Sequence, residues 1–404
     1  MSDFKTVSKG VTSPKGFVAA GVACGLKKSG KRDLALIYSE VLGNAAGVFT
    51  SNRVKSTSIL FTQKQIKEGC AQAILINSGN ANTCVGRQGI SDCGKAIKAL
   101  AKELGVSSRS ILMASTGIIG VPLPLPNIFR GIRDLRKKLS KNGGHEAAEA
   151  ILTTDTRTKE VAIEVPLGFG ERIVIGGMAK GAGMIAPNMG TMLAFITTDA
   201  VIQAKALKEA LKDAVSKSFN CIVVDRDTST NDTVLILANG LAKNREITYG
   251  SKSFLKFQTA LDYVCIYLAK EIARDGEGST KLIEVRVTRA KSYADAQLVA
   301  KAVAGSNLVK SAIFGEDPNW GRIMAAIGYA GAKINPEKIN ISIWREPLVK
   351  QGMAVAFDKN KLKKILAGSE ILIRIDLGVG GQEATAWGCD LTYDYIKINA
   401  HYRT

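Results

Sequence analysis

Residues 180–193 read Lys-Gly-Ala-Gly-Met-Ile-Ala-Pro-Asn-Met-Gly-Thr-Met-Leu, and Ala-Phe-Ile continues to position 196. Gly181, Gly183, Pro187 and Gly190 mark a tight loop. Residues 192–196 form a short apolar run that reads as a buried strand. By composition alone this is a turn before a strand. A loop that ends on a threonine at the mouth of a buried strand also suits a chain that cuts itself between Gly190 and Thr191. The cut would leave Thr191 with a hydroxyl nucleophile and its own α-amine as base, a recognised way to activate a weak alcohol. A terminal amine has a reference pKa of about 7.7–8, whereas a lysine amine, at about 10.4, would need strong desolvation to serve. Glycine at 190 keeps a Cβ out of the line of attack and tolerates unusual backbone angles.

The remaining composition narrows the chemistry. The chain has two histidines, His145 and His401, neither in a nucleophile motif, so a Ser-His-Asp arrangement has little to build on. Its 404 residues exceed one ordinary core. Seven cysteines are scattered with no CxxC pair, which argues against a metal or disulfide framework. Cys265 falls at apolar helical spacing and reads as core. That cysteine usage makes a reducing cytoplasm the expected location; no early apolar run resembles a signal peptide and no stretch approaches a membrane helix, so no membrane partner is expected. The formal charge of +19 raises nucleic-acid binding as a possibility. The lysines are dispersed (Lys27, Lys28, Lys31; Arg136, Lys137, Lys138, Lys141; Lys361, Lys363, Lys364) with little aromatic interleaving, so a solvated basic surface and no nucleic-acid partner is the expected reading.

Short apolar or alternating runs at 73–77, 111–114, 161–165, 172–175 and 192–196 read as strands, as do 221–224, 233–237, 282–287, 339–343 and 371–375. Ile202, Leu207, Leu211, Val215 and Phe219 run mainly at i+4, and Phe254, Phe257, Leu261, Val264, Leu268 and Ile272 make a second helical stripe. Both are packing faces. No repeat, Walker loop or complete dinucleotide fingerprint is present. The pattern is α/β, with strands grouped on either side of a central strand at 192–196, as stacked sheets flanked by helices would produce.

The loop and several other stretches together resemble the ornithine acetyltransferase family, the glutamate N-acetyltransferases of arginine biosynthesis. The matches are Lys180 to Leu193, Gly47-Val-Phe-Thr-Ser-Asn52, Ile76-Asn-Ser-Gly-Asn-Ala-Asn82, Ala114-Ser-Thr-Gly-Ile-Ile-Gly120 and Thr153-Thr-Asp-Thr156. Later come Asp227-Thr-Ser-Thr-Asn-Asp232, Asp275-Gly-Glu-Gly278, Gly315-Glu-Asp-Pro-Asn-Trp-Gly-Arg322 and Ile398-Asn-Ala-His-Tyr-Arg-Thr404. The resemblance runs from near residue 15 to the end. Position 190 is Gly where the family usually has Ala, and position 182 is Ala where Ser is frequent.

The resemblance implies an α/β/β/α-type sandwich of the N-terminal-nucleophile kind with a further C-terminal lobe. It implies self-cleavage into residues 1–190, carrying the oxyanion loop, and 191–404, headed by Thr191. The implied activity is acetyl transfer from N-acetylornithine to glutamate through an acetyl-Thr191 ester, with no cofactor and no metal. Some relatives also accept acetyl-CoA, which leaves it open as a co-substrate. The resemblance assigns the oxyanion hole to the Thr116 hydroxyl and Gly117 amide. It assigns substrate binding to Thr153, Thr154, Lys180, Thr191, Glu277, Asn399 and Thr404. It further implies that the two fragments stay together as a heterotetramer of two cleaved protomers. Read alone, Lys180 and Glu277 are surface charges, and strand alternation would send Thr153 and Thr154 to opposite faces. Asp227-Thr-Ser-Thr-Asn-Asp232 lacks calcium-loop spacing and is expected to be a hydrogen-bonded loop near the site. Residues 315–322 are expected to buttress the pocket. The enzyme alternative is a self-processing N-terminal-threonine amidase or aminopeptidase. The non-enzyme alternative is an uncut basic binding protein.

Overall fold

The computed structural model describes residues 4–168, 170–185 and 192–401. In chain order the elements before residue 190 are β1 (Lys5–Thr6), β2 (Phe17–Val22), β3 (Leu34–Phe49), α1 (Thr57–Gln65), β4 (Cys70–Asn80), α2 (Gly86–Leu104), β5 (Ile111–Ile118), α3 (Leu125–Lys138), α4 (Gly144–Ile151), β6 (Lys159–Gly168) and β7 (Glu171–Lys180). Those after it are β8 (Leu193–Thr198), α5 (Ala204–Lys217), β9 (Ile222–Val223), β10 (Thr233–Ala238), α6 (Lys252–Arg274), β11 (Leu282–Ala290), α7 (Tyr293–Ala304), α8 (Asn307–Phe314), α9 (Trp320–Gly328), β12 (Asn340–Ile343), β13 (Glu346–Lys350), β14 (Met353–Ala354), α10 (Lys359–Leu366), β15 (Glu370–Asp376), β16 (Gln382–Cys389) and α11 (Tyr393–His401).

Period-2 side-chain alternation explains the layers. In β3, β4 and β5, Leu34, Leu36, Ala73, Leu75, Ile111 and Met113 point outward to a core shared with α2 and α3. Their neighbours Ala35, Ile37, Ile74, Ile76, Leu112 and Ala114 point inward, onto Met178, Leu193, Phe195, Leu235 and Leu237 of β7, β8 and β10, with α4 residues in the same core. On the far side Ala194, Ile196, Val234 and Ile236 meet α5 and α6. The result is helix, sheet, sheet, helix. Both sheet layers are buried on both faces, which is why their strands read as continuous apolar runs.

Among the described residues the two layers are one hydrogen-bonded sheet, ordered β1-β6-β7-β8-β10-β3-β4-β5 with β2 added beside β3. β3 joins the layers. Its first half pairs with β2 and β4, its second half with β10, and the register against β4 breaks between Tyr38 and Gly43. The apolar-run reading missed β3 because the polar segment at the break interrupts its pattern. β7 pairs antiparallel with β8, Lys180 opposite Leu193, and β8 pairs parallel with β10. Strands from both sides of residue 190 therefore interleave in one sheet.

The second sheet, β14-β13-β12-β15-β11-β16-β9, forms the C-terminal lobe. α7 packs on β11 and β16, and α6 touches β6 and β7 as well as β9, β11 and β16, so one helix ties the lobe to the sandwich. Both helical stripes are buried, Cys265 included. Two boundaries differ from the sequence reading. Ile202 precedes α5 and bridges Ile247, and Phe219 lies in a 3₁₀ turn. Apolar spacing continues past each helix end because the flanking chain packs into the same core.

α4 approaches β2 closely. A Cβ on Gly21 would lie 1.9 Å from the Glu146 carbonyl oxygen, a backbone atom that cannot swing aside. Gly94 on α2 has no atom within 4 Å of its would-be Cβ. Gly21→Ala is expected to destabilise the protein by about 1–3 kcal/mol through overpacking. Gly94→Ala is expected to be neutral or stabilising by up to about 1 kcal/mol. Paired thermal melts check this, and equal midpoints for the two variants would contradict the packing account.

Candidate active site

A cleft of about 240 Å³ opens where β5, β7, α6 and α11 end. Thr116, Gly117, Thr153, Thr154, Lys180, Glu277 and Asn399 all line it. These come from five separate segments of chain, so the fold gathers every described residue that the family resemblance implicated. Gly190, Thr191 and Thr404 lie outside the described residues. The described chain resumes at Met192, which leads into β8.

The end of β5 forms one wall. Ser115 donates to Asn77 Oδ1 (2.7 Å), and Asn231 Nδ2 donates to the carbonyls of Ala81 (2.8 Å) and Ser115 (2.7 Å). The Thr116 hydroxyl is buried and has no hydrogen-bond partner among the described residues. A buried polar group left unpaired is destabilising unless a ligand satisfies it, so this hydroxyl is a donor in reserve. Gly117 sits at φ 128°, and a Cβ there would lie 2.4 Å from the Gly79 carbonyl carbon. Only glycine allows this backbone to turn so close to β4.

Opposite lies a buried ionic cluster. Lys180 Nζ donates to Thr153 Oγ1 (2.7 Å) and stands 3.8 Å from Asp155 Oδ2. Asp155 Oδ1 meets Lys159 Nζ at 2.7 Å and accepts the Gly181 N–H at 2.6 Å. Lys159 also pairs with Asp275 Oδ2 at 2.5 Å. Burial alone would raise the Asp155 carboxyl, but Lys180 and Lys159 outweigh it and hold the group well below the usual range. Burial lowers the Lys180 ammonium, and Asp155 opposes that shift. Lys180 is 1% exposed and Glu277 8%, so the surface-charge reading of both is wrong. Each is enclosed because the strand or helix carrying it ends inside the molecule.

Glu277, in the loop leaving α6, accepts from Asn399 Nδ2 at 2.8 Å. A Cβ at position 183 would lie 2.4 Å from the Glu277 carboxylate, so Gly183 makes room for that group. Asp225 accepts the N–H groups of Met184 (2.5 Å) and Ile185 (2.8 Å). It thereby holds Met184 at φ 54°, an uncommon conformation for a side-chain-bearing residue. Burial pushes the Asp225 carboxyl up to about 6, against the pull of those amides.

Two further expectations change. Thr153 and Thr154 follow α4 in a bend rather than a strand, so alternation does not separate them and both line the cleft. Residues 315–322 do not line it. Asn319 caps α9, Arg322 bonds the Leu308 carbonyl and Glu316 meets Lys281 at 3.4 Å, which makes this a link between helices. The 227–232 segment is a hydrogen-bonded loop beside the cleft, as expected, with Asp227, Ser229, Thr230 and Asn231 in its wall. No group of side chains suited to a metal occurs among the described residues, and no described helix is long and apolar enough to cross a membrane. Sequence reasoning missed Asp155, Lys159, Asp225 and Tyr395. The i,i+4 spacing of Asp155 and Lys159 was the one local signal for any of them.

The family model described as "ArgJ family" matches residues 18–404. The arginine biosynthesis bifunctional protein ArgJ of Symbiobacterium thermophilum is 52% identical over 397 residues, covering 98% of each chain. Its counterpart from Caldanaerobacter subterraneus subsp. tengcongensis is 50% identical over 395 residues, 97% of this chain and 98% of the relative. A crystal structure of arginine biosynthesis bifunctional protein ArgJ from Bacillus halodurans aligns with a TM-score of 0.50 and 47% identity, covering 51% of this chain and 97% of its own. On these matches the chain belongs to the ArgJ family.

Proposed function

We propose that this protein is a self-processing acetyltransferase that moves acetyl from N-acetylornithine to glutamate. The observation that carries the reading is the cleft itself. It unites an unpaired buried hydroxyl at Thr116, a cation at Lys180 and a carboxylate at Glu277 beside the head of β8, the strand that follows Thr191. Family membership and the relatives' names support the pathway. We place the self-cleavage between Gly190 and Thr191. The products would be residues 1–190 and 191–404, held together by the shared sheet. We assign them to a heterotetramer of two cleaved protomers.

In the proposed reaction the Thr191 hydroxyl attacks the acetyl carbonyl and its proton passes to the Thr191 α-amine. The oxyanion is met by the Thr116 hydroxyl and the Gly117 N–H. The C–N bond then breaks, the proton moves to the departing α-nitrogen of ornithine, and acetyl remains as an ester on Thr191. The α-amine of glutamate attacks that ester, giving N-acetylglutamate and free Thr191. Lys180, with Thr153 and Thr154 beside it, suits the α-carboxylate that donor and acceptor share. Glu277 and Asn399 suit an ammonium. Thr404 is assigned to the same binding set. No resident cofactor or metal takes part. The word "bifunctional" in the relatives' names supports a second acetyl donor, a role we give to acetyl-CoA. The chemistry fits a cytoplasmic biosynthetic enzyme.

Intact mass measurement of purified protein is expected to show two pieces beginning at residue 1 and at Thr191. Thr191→Ala is expected to stay whole and inactive, and an uncut wild type with normal turnover would sink the nucleophile assignment. Acetylornithine plus glutamate should yield N-acetylglutamate; release of acetate alone would favour the amidase reading. Thr116→Val keeps the shape and removes the donor. It is expected to lower kcat about 10²–10³-fold with KM little changed, and steady-state kinetics with both substrates would expose a purely structural role as an unchanged kcat.

A further inference from the structure

The sheet of the C-terminal lobe has one covered face and one open face. Val285, Val287, Ile341, Ile343, Ile373 and Ile375 are buried in the core to which α7 contributes. Period-2 alternation turns the residues between them the other way. On that side lies a hollow of about 470 Å³, lined by Arg286 of β11, Arg374 of β15, Ser342 of β12, Arg345 of the β12–β13 turn and Lys350 of β13, with Thr288 of β11 beside them. It shares no lining residue with the cleft at Thr116 and Lys180.

Charge sets this hollow apart from an ordinary solvated face. Arg374 stands in register between Arg286 and Ser342. Neighbouring strands lie about 4.8 Å apart, so two guanidinium-bearing side chains leave the sheet side by side. Like charges placed directly opposite are destabilising. The acids that could neutralise them are already engaged. Asp376, two residues on from Arg374, receives Arg289 on both oxygens (2.6 and 2.5 Å) and the Gly378 N–H (3.0 Å). Glu284 gives Oε1 to Arg286 (2.9 Å) and Oε2 to Lys270 (3.0 Å) and Trp387 Nε1 (3.0 Å). Glu346, next to Arg345, pairs with Lys361 at 2.5 Å. Among the described residues the charged ends of Arg345, Lys350 and Arg374 have no hydrogen-bond or ion-pair partner. Unopposed charge of one sign is thus gathered into a concavity, where it attracts counter-ions most strongly.

We propose that this hollow binds a small polyphosphate, whose phosphoryl oxygens bridge Arg286 and Arg374 and reach Arg345 and Lys350 at its edge. The guanidinium fork matches a pair of phosphate oxygens. Two hydroxyls stand ready as further donors, because Thr288 and Ser342 make only long contacts to the carbonyls of Ile375 (3.5 Å) and Trp344 (3.4 Å). A single carboxylate would satisfy one guanidinium and leave the others unopposed, whereas a polyphosphate carries charge for all four cations. The volume falls in the range of small-molecule sites, about 300–1,000 Å³. No aromatic side chain lines the hollow, so the base stacking that holds single-stranded nucleic acid has no platform there.

Inorganic tripolyphosphate, titrated calorimetrically into the purified protein at low salt, is the probe. Wild type is expected to bind it saturably and to melt at a higher temperature in its presence. Arg374→Ala is expected to weaken binding at least about tenfold, and the Arg345→Ala/Arg374→Ala pair to abolish saturable binding. Lys137→Ala removes the same charge from the exposed side of α3 and is expected to bind as wild type does. Without ligand, Arg374→Ala should melt no lower than wild type, since it relieves repulsion between neighbours. ATP is the second probe. Binding no tighter than that of tripolyphosphate assigns the hollow to the phosphate chain alone, and tighter binding assigns it to a nucleotide. The proposal is overturned if wild type binds no tripolyphosphate saturably or if Lys137→Ala weakens binding as much as Arg374→Ala. Displacement of tripolyphosphate by random-sequence single-stranded DNA at lower phosphate concentration would also overturn it, as would a clear loss of unliganded stability in Arg374→Ala.

Discussion

The Asp155 carboxylate holds the centre of the molecule together. It receives Lys159 and Gly181 on one oxygen and the Thr153 N–H, with Lys180 nearby, on the other. Lys159 extends the cluster to Asp275 and so to the end of α6. Such a cluster is unfavourable to bury unless every member is paired, and here the pairs come from the α4–β6 connection, β6, β7 and the turn after α6. Removing one partner would leave a charge uncompensated where water cannot reach it. The cleft inherits its rigidity from this cluster, because Lys180 and Thr153 belong to both.

The layering makes such a site possible. Two apolar sheet layers pack face to face, and β3 passes between them where its register breaks. At the ends of β5, β7 and β8 the apolar pattern stops while the chain is still enclosed. Polar groups there must bond to one another or wait for a ligand. Asn231, Ser115 and Asn77 do the first. Among the described residues the Thr116 hydroxyl does the second.

Much of the fold was legible from pattern. The runs at 73–77, 111–114 and 233–237 fall within β4, β5 and β10, because strands buried on both faces need apolar residues at every position. The stripe from Phe254 to Ile272 is the buried side of α6. β3 was not legible, since its bend requires a polar interruption that local patterning treats as an ending. In the cleft, Thr116, Gly117, Lys180, Glu277 and Asn399 were named through family motifs, and composition alone would have left them as turns and surface charges. Asp225 and Tyr395 carried no such signal.

By itself the sequence determined that the chain is α/β, that its strands are mostly buried, and that a glycine-rich stretch ending in Thr191 runs straight into one apolar run. Those properties depend on side-chain type and short-range spacing, which the linear order records directly. Tertiary structure alone decided that Lys180 is buried rather than solvated, that Thr153 and Thr154 share one cleft, that residues 315–322 stand apart from it, and that Asp232 reaches Met192 from forty residues away. Each of these depends on which strand ends meet in space, and so on whether a charge or hydroxyl finds water or a partner. No local pattern encodes that outcome.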